Sequence, residues 1–385
     1  MPTEIKNLKK AANRILKAIK SKEKIILYGD ADLDGITSVI ILQETIKNLQ
    51  GEVTSVYFPD RENEGYGINK KALNILKDTA PALLISLDLG IGNVEEVKLA
   101  KKLGFEVIII DHHELLGKPP EASIIVDPKQ EADTCPFKIL ANVGIVFRLS
   151  QALLGKDCSK NLRNSFLELT ALGTIADLMP ETGENKAFIE DGLKSLMETF
   201  RPGLKVFLRD HSNESASVRY IAQKIIAVLN AAETTDHINE AYSLLTLSSI
   251  EKAEDLVQIL IGKSRKRQQK IREITDDIEK RVLSKLDDII VFEGDLFWPL
   301  VFTGSVASRI CRQYEKPTFI FKKGEKESCG SVRNPKNINS VEAMKSCSDL
   351  LMTFGGHPLA SGFRIKNENL EKFKERLIEY FEKLS

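Results

Sequence analysis

Apolar and polar positions alternate in blocks through residues 1–130, where short apolar runs are separated by stretches of helical period. The apolar runs predict strands at residues 24–28, 53–58, 82–87, 105–110 and 123–126. The intervening stretches predict helices at residues 37–49, 68–77 and 94–103, after a Lys-rich amphipathic helix within residues 1–24. Strands that alternate with helices form βαβ units, and near-continuous apolar runs indicate burial on both faces. We therefore predict an α/β domain with a doubly wound, mostly parallel sheet.

A helical region follows this α/β pattern. Residues 139–154 and 162–178 have clear helical periods, and residues 249–286 form one long, highly charged helical segment. A helix of that length at the edge of a domain is suited to connect two domains. We therefore expect a helical insert that ends in a long connector helix.

A second βα pattern begins near Asp288. Its apolar runs predict strands at residues 289–292, 300–302, 318–321, 329–332 and 359–365. Helical periods predict helices at residues 306–314 and 370–383, and Gly355-Gly356 predicts a sharp turn. The predicted organisation is a doubly wound domain at 1–190, a helical region with the connector at 191–287, and a smaller α/β domain at 288–385.

Chain length indicates the number of domains, and the charge balance bears on whether the protein binds nucleic acid. A chain of 385 residues is too long for one ordinary core, so two or three domains are expected. Lys plus Arg and Asp plus Glu both number 55, so a nucleic-acid site would have to be a local basic patch. The densest basic run, residues 263–272, either contacts phosphates or forms the solvated face of the connector helix.

Cysteine usage and hydropathy bear on the compartment. The five cysteines are scattered without a CxxC pair, which is typical of reduced thiols and argues against a zinc ribbon or a disulfide framework. The N-terminal segment lacks the apolar core of a signal peptide, and no apolar run approaches the about 18 residues of a membrane span. We expect a cytoplasmic protein that does not enter a membrane.

Acidic and imidazole side chains follow three of the predicted strands, at the points where those strands end. They are Asp30, Asp32 and Asp34 after the first strand, Asp88 after the third, Asp111, His112 and His113 after the fourth, and Asp177 at a helix end. Ligands of open parallel sheets bind at the carboxyl ends of the strands. The sequence therefore predicts that these side chains converge at one edge of the sheet.

Each of these residues has an ordinary explanation when taken alone. Asp34-Gly35 can form a turn, Asp88 can cap the helix that follows it, and a His pair can lie on the surface. Gathered at one edge, however, the carboxylates repel each other unless cations neutralise them. Carboxylates with a single imidazole suit two hard divalent ions, Mn²⁺ or Mg²⁺, better than zinc. Two such ions about 3.5–4 Å apart promote hydrolysis of a phosphate ester.

The sequence Asp111-His112-His113 after a buried strand, with Asp30-x-Asp32-x-Asp34-Gly35 upstream, resembles the DHH phosphoesterase superfamily. Residues 125–129 (IVDPK), 135–138 (CPFK) and 171–177 (ALGTIAD) resemble RecJ-type single-strand exonucleases in particular. The resemblance implies Mn²⁺- or Mg²⁺-dependent hydrolysis of phosphodiester bonds in single-stranded DNA or RNA. It implies that His113 faces the scissile phosphate as a hydrogen-bond donor or acid. It also implies that Asp30 either binds the ions or contacts the residues that bind them. The ligands of one or both metals that it implies are Asp32, Asp34, Asp88, His112 and Asp177.

Phe354-Gly355-Gly356-His357 resembles the signature of the DHHA1 domain that accompanies these enzymes. Paired glycines let backbone N–H groups approach an anion closely, and an adjacent imidazole can donate to it. An arginine in such a domain can hold a phosphate with two hydrogen bonds, although each arginine can equally be a solvated surface charge. The resemblance implies that single strands lie in a groove between the two domains. The substrate-binding residues it implies are Arg309, Ser331, Arg333, Gly355, Gly356 and His357.

The chain departs from the RecJ pattern in several places. Glu233 and Thr234 follow Asn230-Ala231-Ala232 where Gly-Arg is usual, which bears on substrate affinity or length preference. Leu89 follows Asp88 where related enzymes often carry a polar residue. The sequence stops soon after the DHHA1-like region, without the OB-fold of bacterial RecJ enzymes, and so resembles compact archaeal RecJ-like nucleases. Some of those relatives act with GINS proteins, so a GINS-type replisome partner is a hypothesis.

Two other functions stay open at this point. A nano-RNase or a phosphatase of 3′-phosphoadenosine 5′-phosphate belongs to the same superfamily, but such enzymes are shorter and usually carry His where this chain has Tyr28. Some DHH-fold proteins have lost their metal ligands and serve as replisome scaffolds. The full set of expected ligands in this chain favours an enzyme.

Overall fold

The computed structural model describes residues 4–115, 117–131, 133–210, 217–282, 288–336 and 338–384, without the side chains of Asp210 and His357. These residues divide into two compact units, 1–264 and 265–385. The division falls inside a long helix, Ile250–Val282, which confirms the predicted long helical segment over its described part.

The N-terminal unit combines a five-stranded sheet with helices on both faces. Its strands are β1 (Ile25–Gly29), β2 (Ser55–Tyr57), β3 (Ala82–Leu87), β4 (Phe105–Ile110), β5 (Ile124–Val126) and the short pair β6 (Thr234–Thr235) and β7 (Ile238–Asn239). Its helices are α1 (Leu8–Lys20), α2 (Leu33–Asn48), α3 (Lys70–Leu76), α4 (Val94–Lys102), α5 (Asn142–Leu154), α6 (Lys160–Ala176), α7 (Gly183–Leu196), α8 (Pro202–Asp210), α9 (Val218–Leu229), α10 (Glu240–Thr246) and the first part of α11 (Ile250–Val282).

The main sheet has the strand order β2-β1-β3-β4-β5, and all of its pairings are parallel. Alternate residues of β1 enter different apolar cores, with Leu27 on one face and Ile26 on the other. Burial on both faces explains why the strands are continuously apolar. The predicted parallel α/β sheet is confirmed, and β3 and β4 match their predicted bounds residue for residue.

Helix α2 begins four residues earlier than the periodicity predicted. Asp32 is its N-cap, and the Asp32 Oδ1 atom accepts a hydrogen bond from the Gly35 amide at 3.1 Å. A carboxylate cap satisfies an amide that has no partner in the helix itself. Because the helix begins directly after this cap, Asp34 and Gly35 lie in its first turn.

The C-terminal unit is a smaller α/β domain, as predicted. Its strands are β8 (Val291–Asp295), β9 (Thr318–Lys323), β10 (Glu327–Arg333), β11 (Leu351–His357) and β12 (Ala360–Lys366). Its helices are the second part of α11, α12 (Leu300–Tyr314), α13 (Ser340–Lys345) and α14 (Leu370–Glu382). The sheet order is β11-β12-β10-β9-β8, with β8 and β9 parallel and the other pairs antiparallel.

Two predictions for this unit were wrong. Residues 300–302 form the first turn of α12 and not a strand, because Pro299 at the N-cap leads directly into the helix. Gly355-Gly356 is not a turn but part of β11, and the turn falls at Pro358–Leu359. Glycine is needed at Gly356 because its φ is +125° and a Cβ there would lie 2.6 Å from the Ala360 carbonyl oxygen.

None of the described helices combines enough length with enough apolar character to cross a bilayer.

Candidate metal centre

The predicted side chains of the N-terminal unit meet at one edge of the main sheet. The strand order reverses between β1 and β3, and parallel sheets bind ligands in the crevice at such a reversal. Asp30 follows β1, Asp88 follows β3 and Asp111 follows β4. The convergence that the sequence predicted is therefore present, and the following distances define it.

His112 lies at the centre of the group. Its Nε2 atom is 3.1 Å from Asp88 Oδ1, 3.6 Å from Asp177 Oδ2 and 3.7 Å from Asp34 Oδ2. Its Nδ1 atom is 2.9 Å from the Leu140 carbonyl oxygen, which can only accept, so Nδ1 carries the proton. Nε2 thus presents a lone pair to three carboxylates. Such an arrangement is typical of a metal-binding imidazole whose second nitrogen is held by a carbonyl.

The Asp34 carboxylate is fixed by the N-terminus of α5. Its oxygens accept hydrogen bonds of 2.8 Å from the backbone amides of Asn142 and Val143. These amides and the helix dipole favour negative charge at this position. Burial, together with the charge of Asp32, nevertheless raises the pKa of Asp34 to about 7.

Asp88 lies among the charges of several other carboxylates. Its backbone is left-handed, with φ of 66°. Burial and the charges of Asp34 and Asp32 raise the pKa of Asp88 well above its usual range. Burial, with a further contribution from the His113 charge, lowers the pKa of His112 well below its usual range. The two electron-rich atoms therefore need a proton or a cation between them.

Asp177 completes this part of the site from the C-cap of α6. Its Oδ2 atom is buried and has no hydrogen-bond partner among the described residues. Burial and the charges of Asp34 and Asp32 raise the pKa of Asp177 well above its usual range. Burying a carboxylate oxygen without a donor is unfavourable, and a bound cation would offset that cost.

Asp30 and Asp32 face a cation that the sequence analysis missed. Arg61 Nε donates to Asp30 Oδ1 at 2.7 Å, Arg61 Nη2 donates to Asp30 Oδ2, and Arg61 Nη2 also donates to Asp32 Oδ2 at 2.9 Å. Arg61 lies in the loop after β2, at the same sheet edge. The sequence did contain a signal for this contact, because Arg61 follows a predicted strand and the loops after parallel strands lie at the ligand-binding edge of the sheet.

Asp111 orients the two histidines. Its Oδ1 atom accepts from the amides of His112 and His113 and from the Nδ1 atom of His113 at 2.8 Å, and its Oδ2 atom accepts from the Ile91 amide. Burial lowers the pKa of His113, but the Asp111 carboxylate outweighs it and raises the pKa to about 9. His113 is therefore a cation at neutral pH. Tyr66, which was also missed, lies 3.2 Å from His113 Nδ1 through its hydroxyl oxygen.

The donors fall into overlapping groups whose ligand atoms lie within 4.8 Å of one another. The groups are Asp30, Asp32 and Asp88; Asp34, His112 and Asp177; and Asp88, His112 and His113. Carboxylate oxygens with one neutral imidazole suit hard divalent ions. The residues present therefore fit such ions.

Two protein-family models match this chain. One describes the DHH family, N-terminal domain, and matches residues 24–174; the other describes the DHHA1 domain and matches residues 294–383.

The chain thus resembles the DHH N-terminal domain over residues 24–174 and the DHHA1 domain over residues 294–383.

Among curated relatives, the single-stranded-DNA-specific exonuclease RecJ of Bacillus subtilis is 37% identical over 98% of this chain and 48% of its own length. The RecJ of Thermus thermophilus is 30% identical over 98% of the chain and 54% of its own length. The chain therefore spans about half the length of the curated relatives it matches.

Solved structures of RecJ share the fold. A crystal structure of Thermus thermophilus RecJ in complex with Mn²⁺ has a TM-score of 0.82 and 26% identity, and covers 99% of this chain and 55% of its own. A crystal structure of an exonuclease RecJ bound to manganese has a TM-score of 0.76 and 27% identity, and covers 99% of this chain and 95% of its own.

The DHHA1 domain brings several predicted substrate-binding residues into register. Ser331 in β10 and Gly355 in β11 both pair with Gly362 of β12, and Arg333 and the backbone of His357 both pair with Ala360. These positions form two rows across three strands, and the row that contains Gly356 lies between them. The side chain of His357 lies outside the described part of the chain.

Helix α12 of the DHHA1 domain covers the same rows. Thr303 Oγ1 lies 2.9 Å from Ser331 Oγ, and Arg333 Nε donates to Ser308 Oγ at 3.0 Å. A Cβ on Gly304 would lie 3.1 Å from Arg333 Nη2, so glycine lets the guanidinium rest against the helix. Arg309, by contrast, is exposed on α12. Hydroxyls and a guanidinium gathered in this way can hold a phosphate.

Proposed function

We propose that this chain is a two-metal exonuclease that hydrolyses phosphodiester bonds of single-stranded DNA. The observation that carries the proposal is the position of His112 Nε2, which presents a lone pair to the carboxylates of Asp34, Asp88 and Asp177 within 3.1–3.7 Å. The names of the RecJ relatives and the Mn²⁺ in related crystal structures support it.

The donor groups suggest how two Mn²⁺ or Mg²⁺ ions would be held. One ion would lie among Asp34, Asp177 and His112, and the other would lie near Asp32. Asp88 belongs both to the group with Asp30 and Asp32 and to a group around His112, so its carboxylate would contribute to both sets of ligands. When bound, such ions lower the pKa of water and stabilise charge on a phosphate. Asp30 forms an ion pair with Arg61 and would help to position Asp32 and Asp88.

The chain's own residues would orient the substrate and move the proton. His113 is kept protonated by Asp111, with a pKa of about 9, and can donate to a phosphate oxygen or to the leaving oxygen. In the DHHA1 domain, the cluster of Thr303, Ser331 and Arg333 would hold a backbone phosphate, with Gly355 and Gly356 leaving room beside it. Arg309 and His357 stay predictions of the same role.

The decisive experiment measures Mn²⁺-dependent cleavage of single-stranded DNA that is labelled at its 5′ or its 3′ end. We expect release of mononucleotides from the wild type, with polarity read from the two labels. Asp177→Asn and His112→Ala should each reduce the rate by more than about 100-fold, beyond the effect of residues that only support ligands. Asp191→Asn, which changes an exposed aspartate on α7, is the matched control and should retain the rate.

Other outcomes would assign a different function. A strong preference for a dinucleotide over a longer strand would favour a nano-RNase or a phosphatase of 3′-phosphoadenosine 5′-phosphate. Absence of Mn²⁺-dependent cleavage of any DNA or RNA would favour a non-catalytic scaffold. RNA as an additional substrate, a GINS-type partner and a cytoplasmic location stay predictions that this assay does not address.

A further inference from the structure

The segment 296–301, between β8 and the first turn of α12, presents large apolar side chains to solvent. Phe297 is 86% exposed, Leu296 is 59% exposed and Val301 is 50% exposed. Single exposed apolar residues are ordinary, but neighbouring ones on one segment form a patch that commonly marks a binding surface. We refer to these three residues as the apolar patch.

The backbone beneath the apolar patch is held firmly. Asp295 Oδ1 accepts a hydrogen bond of 3.0 Å from the Phe297 amide, and Asp295 Oδ2 accepts one of 2.9 Å from Arg281. Trp298 is buried, with its ring 4.9 Å from the Arg281 guanidinium carbon. Phe297 is therefore exposed although Asp295 and Trp298, which flank it and Leu296, are held in place. An anchored, exposed aromatic ring loses little conformational freedom when it binds a partner.

A basic stretch of α11 contacts the apolar patch at Val301, in the same unit. Arg267 Nη2 donates to the Val301 carbonyl oxygen at 3.1 Å, and its guanidinium carbon lies 5.3 Å from the centre of the Phe302 ring. Arg267 therefore helps to hold α12 against α11, whereas its neighbours Arg265 and Lys266 are exposed. An exposed aromatic ring and exposed cations on the same unit match a polyanion that carries flat apolar groups.

We propose that Phe297 is a stacking surface for an unpaired base of single-stranded DNA, and that phosphates further along the same strand contact Arg265 and Lys266. The inference rests on the proposed function and extends it to a binding subsite outside the metal centre. Base stacking on aromatic rings beside a cationic surface is a general mode of single-strand binding. The first turn of α12 connects the apolar patch to Thr303 of the candidate phosphate cluster, so one strand can contact both.

The test compares two probes in metal-free buffer with EDTA, where hydrolysis does not interfere. One is an oligothymidylate of about 12 nucleotides, a typical length for such surfaces, and the other is an abasic oligomer of the same length. Both carry a 3′ fluorescein, and binding is measured by fluorescence anisotropy. Phe297→Ala should weaken oligothymidylate binding about tenfold, the loss expected for one stacked base, and should leave abasic binding unchanged.

Two further variants make the comparison specific. Phe297→Trp should retain oligothymidylate binding, because a larger ring also stacks. Phe200→Ala removes another exposed aromatic ring, in the N-terminal unit, and should bind both probes as the wild type does. Circular dichroism of each variant verifies that it is folded.

Three results would overturn the inference. They are wild-type affinity of Phe297→Ala for oligothymidylate, an equal loss for both probes, and a wild-type dimer in sedimentation that Phe297→Ala dissociates while oligothymidylate binding stays intact. The last result would identify the apolar patch as a protein interface. Failure of the proposed function would be recognised separately, as absence of Mn²⁺-dependent cleavage by the wild type.

Discussion

At the scale of single residues, the candidate centre is defined by groups whose charge is unfavourable in the absence of a cation. His112 has one ring nitrogen committed to the Leu140 carbonyl and the other directed at carboxylates. The Asp177 Oδ2 atom is buried without a donor among the described residues. Arg61 relieves part of this repulsion on the side of Asp30. The remaining repulsion makes the metal-free protein sensitive to pH and to removal of one carboxylate.

Asp88→Asn should stabilise the metal-free protein at alkaline pH. Folding raises the pKa of Asp88, and that of Asp34 from 3.8 to about 7. Between these values the folded state holds protons that the unfolded state has lost, so stability falls as pH rises through this range. At about pH 8 in EDTA, we expect the variant to melt about 2–4 °C above the wild type, the shift that about 1 kcal/mol produces.

Asparagine is suited to this test because it tolerates the left-handed backbone at position 88. Mn²⁺ should raise the Tm of the wild type and leave that of Asp88→Asn nearly unchanged. The difference between the two proteins should disappear below about pH 3, where the carboxyls are protonated in the unfolded as well as the folded state. A variant that melts below the wild type at every pH would contradict the repulsion between carboxylates.

At the scale of elements, the centre depends on how closely three helices approach. Helix α6 carries Asp177 at its C-terminal end, and it packs against α2 and α5. Gly173 lies at this contact, where a Cβ would be 2.6 Å from Thr37 Oγ1 and 2.9 Å from Val143 Cγ1. The missing side chain is therefore what lets α6 approach the helices beside the other carboxylates.

Gly173→Ala should push α6 away from α2 and α5. We expect a loss of about 1–3 kcal/mol in the free energy of unfolding, as is usual for an overpacked core. Because Asp177 moves with the helix, the affinity for Mn²⁺ should fall as well. Urea unfolding and titration calorimetry with Mn²⁺ measure the two effects.

Gly262→Ala in α11 is the matched control, because a Cβ there meets nothing within 4 Å. Alanine favours a helix over glycine by up to about 1 kcal/mol, so this variant should be as stable as the wild type or more stable. Wild-type stability and Mn²⁺ affinity in Gly173→Ala would show that α6 is not held by this contact.

At the scale of the whole molecule, the two units carry different chemistry. The N-terminal unit gathers carboxylates and imidazoles, whereas the C-terminal unit gathers hydroxyls, glycines and a guanidinium. Helix α11 runs from one unit into the other without interruption. Such a division suggests that ion binding and substrate binding can be impaired independently.

Arg333→Ala should weaken DNA binding without changing Mn²⁺ affinity. A hydrogen bond to a charged group contributes about 1.5–3 kcal/mol, so we expect KM for single-stranded DNA to rise about 10–100-fold. His112→Ala should show the reverse pattern, with Mn²⁺ affinity lost and binding of DNA in EDTA retained. Steady-state kinetics, titration calorimetry and anisotropy give the three readouts, and loss of both affinities in Arg333→Ala would contradict independent roles.

The sequence by itself determined the strands of the N-terminal sheet and the clustering of acids at their ends. Apolar character on both faces marks a buried parallel strand locally, and a residue after such a strand must lie at the sheet edge wherever the rest of the chain goes. For that reason Asp88 and His112 could be placed without a structure. The motif around Gly355 and Gly356 could also be recognised, although its conformation could not.

Only the tertiary structure decided which groups pair across the site and which backbone stretches become strands. The contact of Arg61 with Asp30, the commitment of His112 Nδ1 to Leu140 and the pairing of Gly355 with Gly362 all join residues that are distant in sequence. Local period and composition carry no information about such partners. Their selection depends on packing and on the need to satisfy buried polar atoms, which arises only when the whole chain has folded.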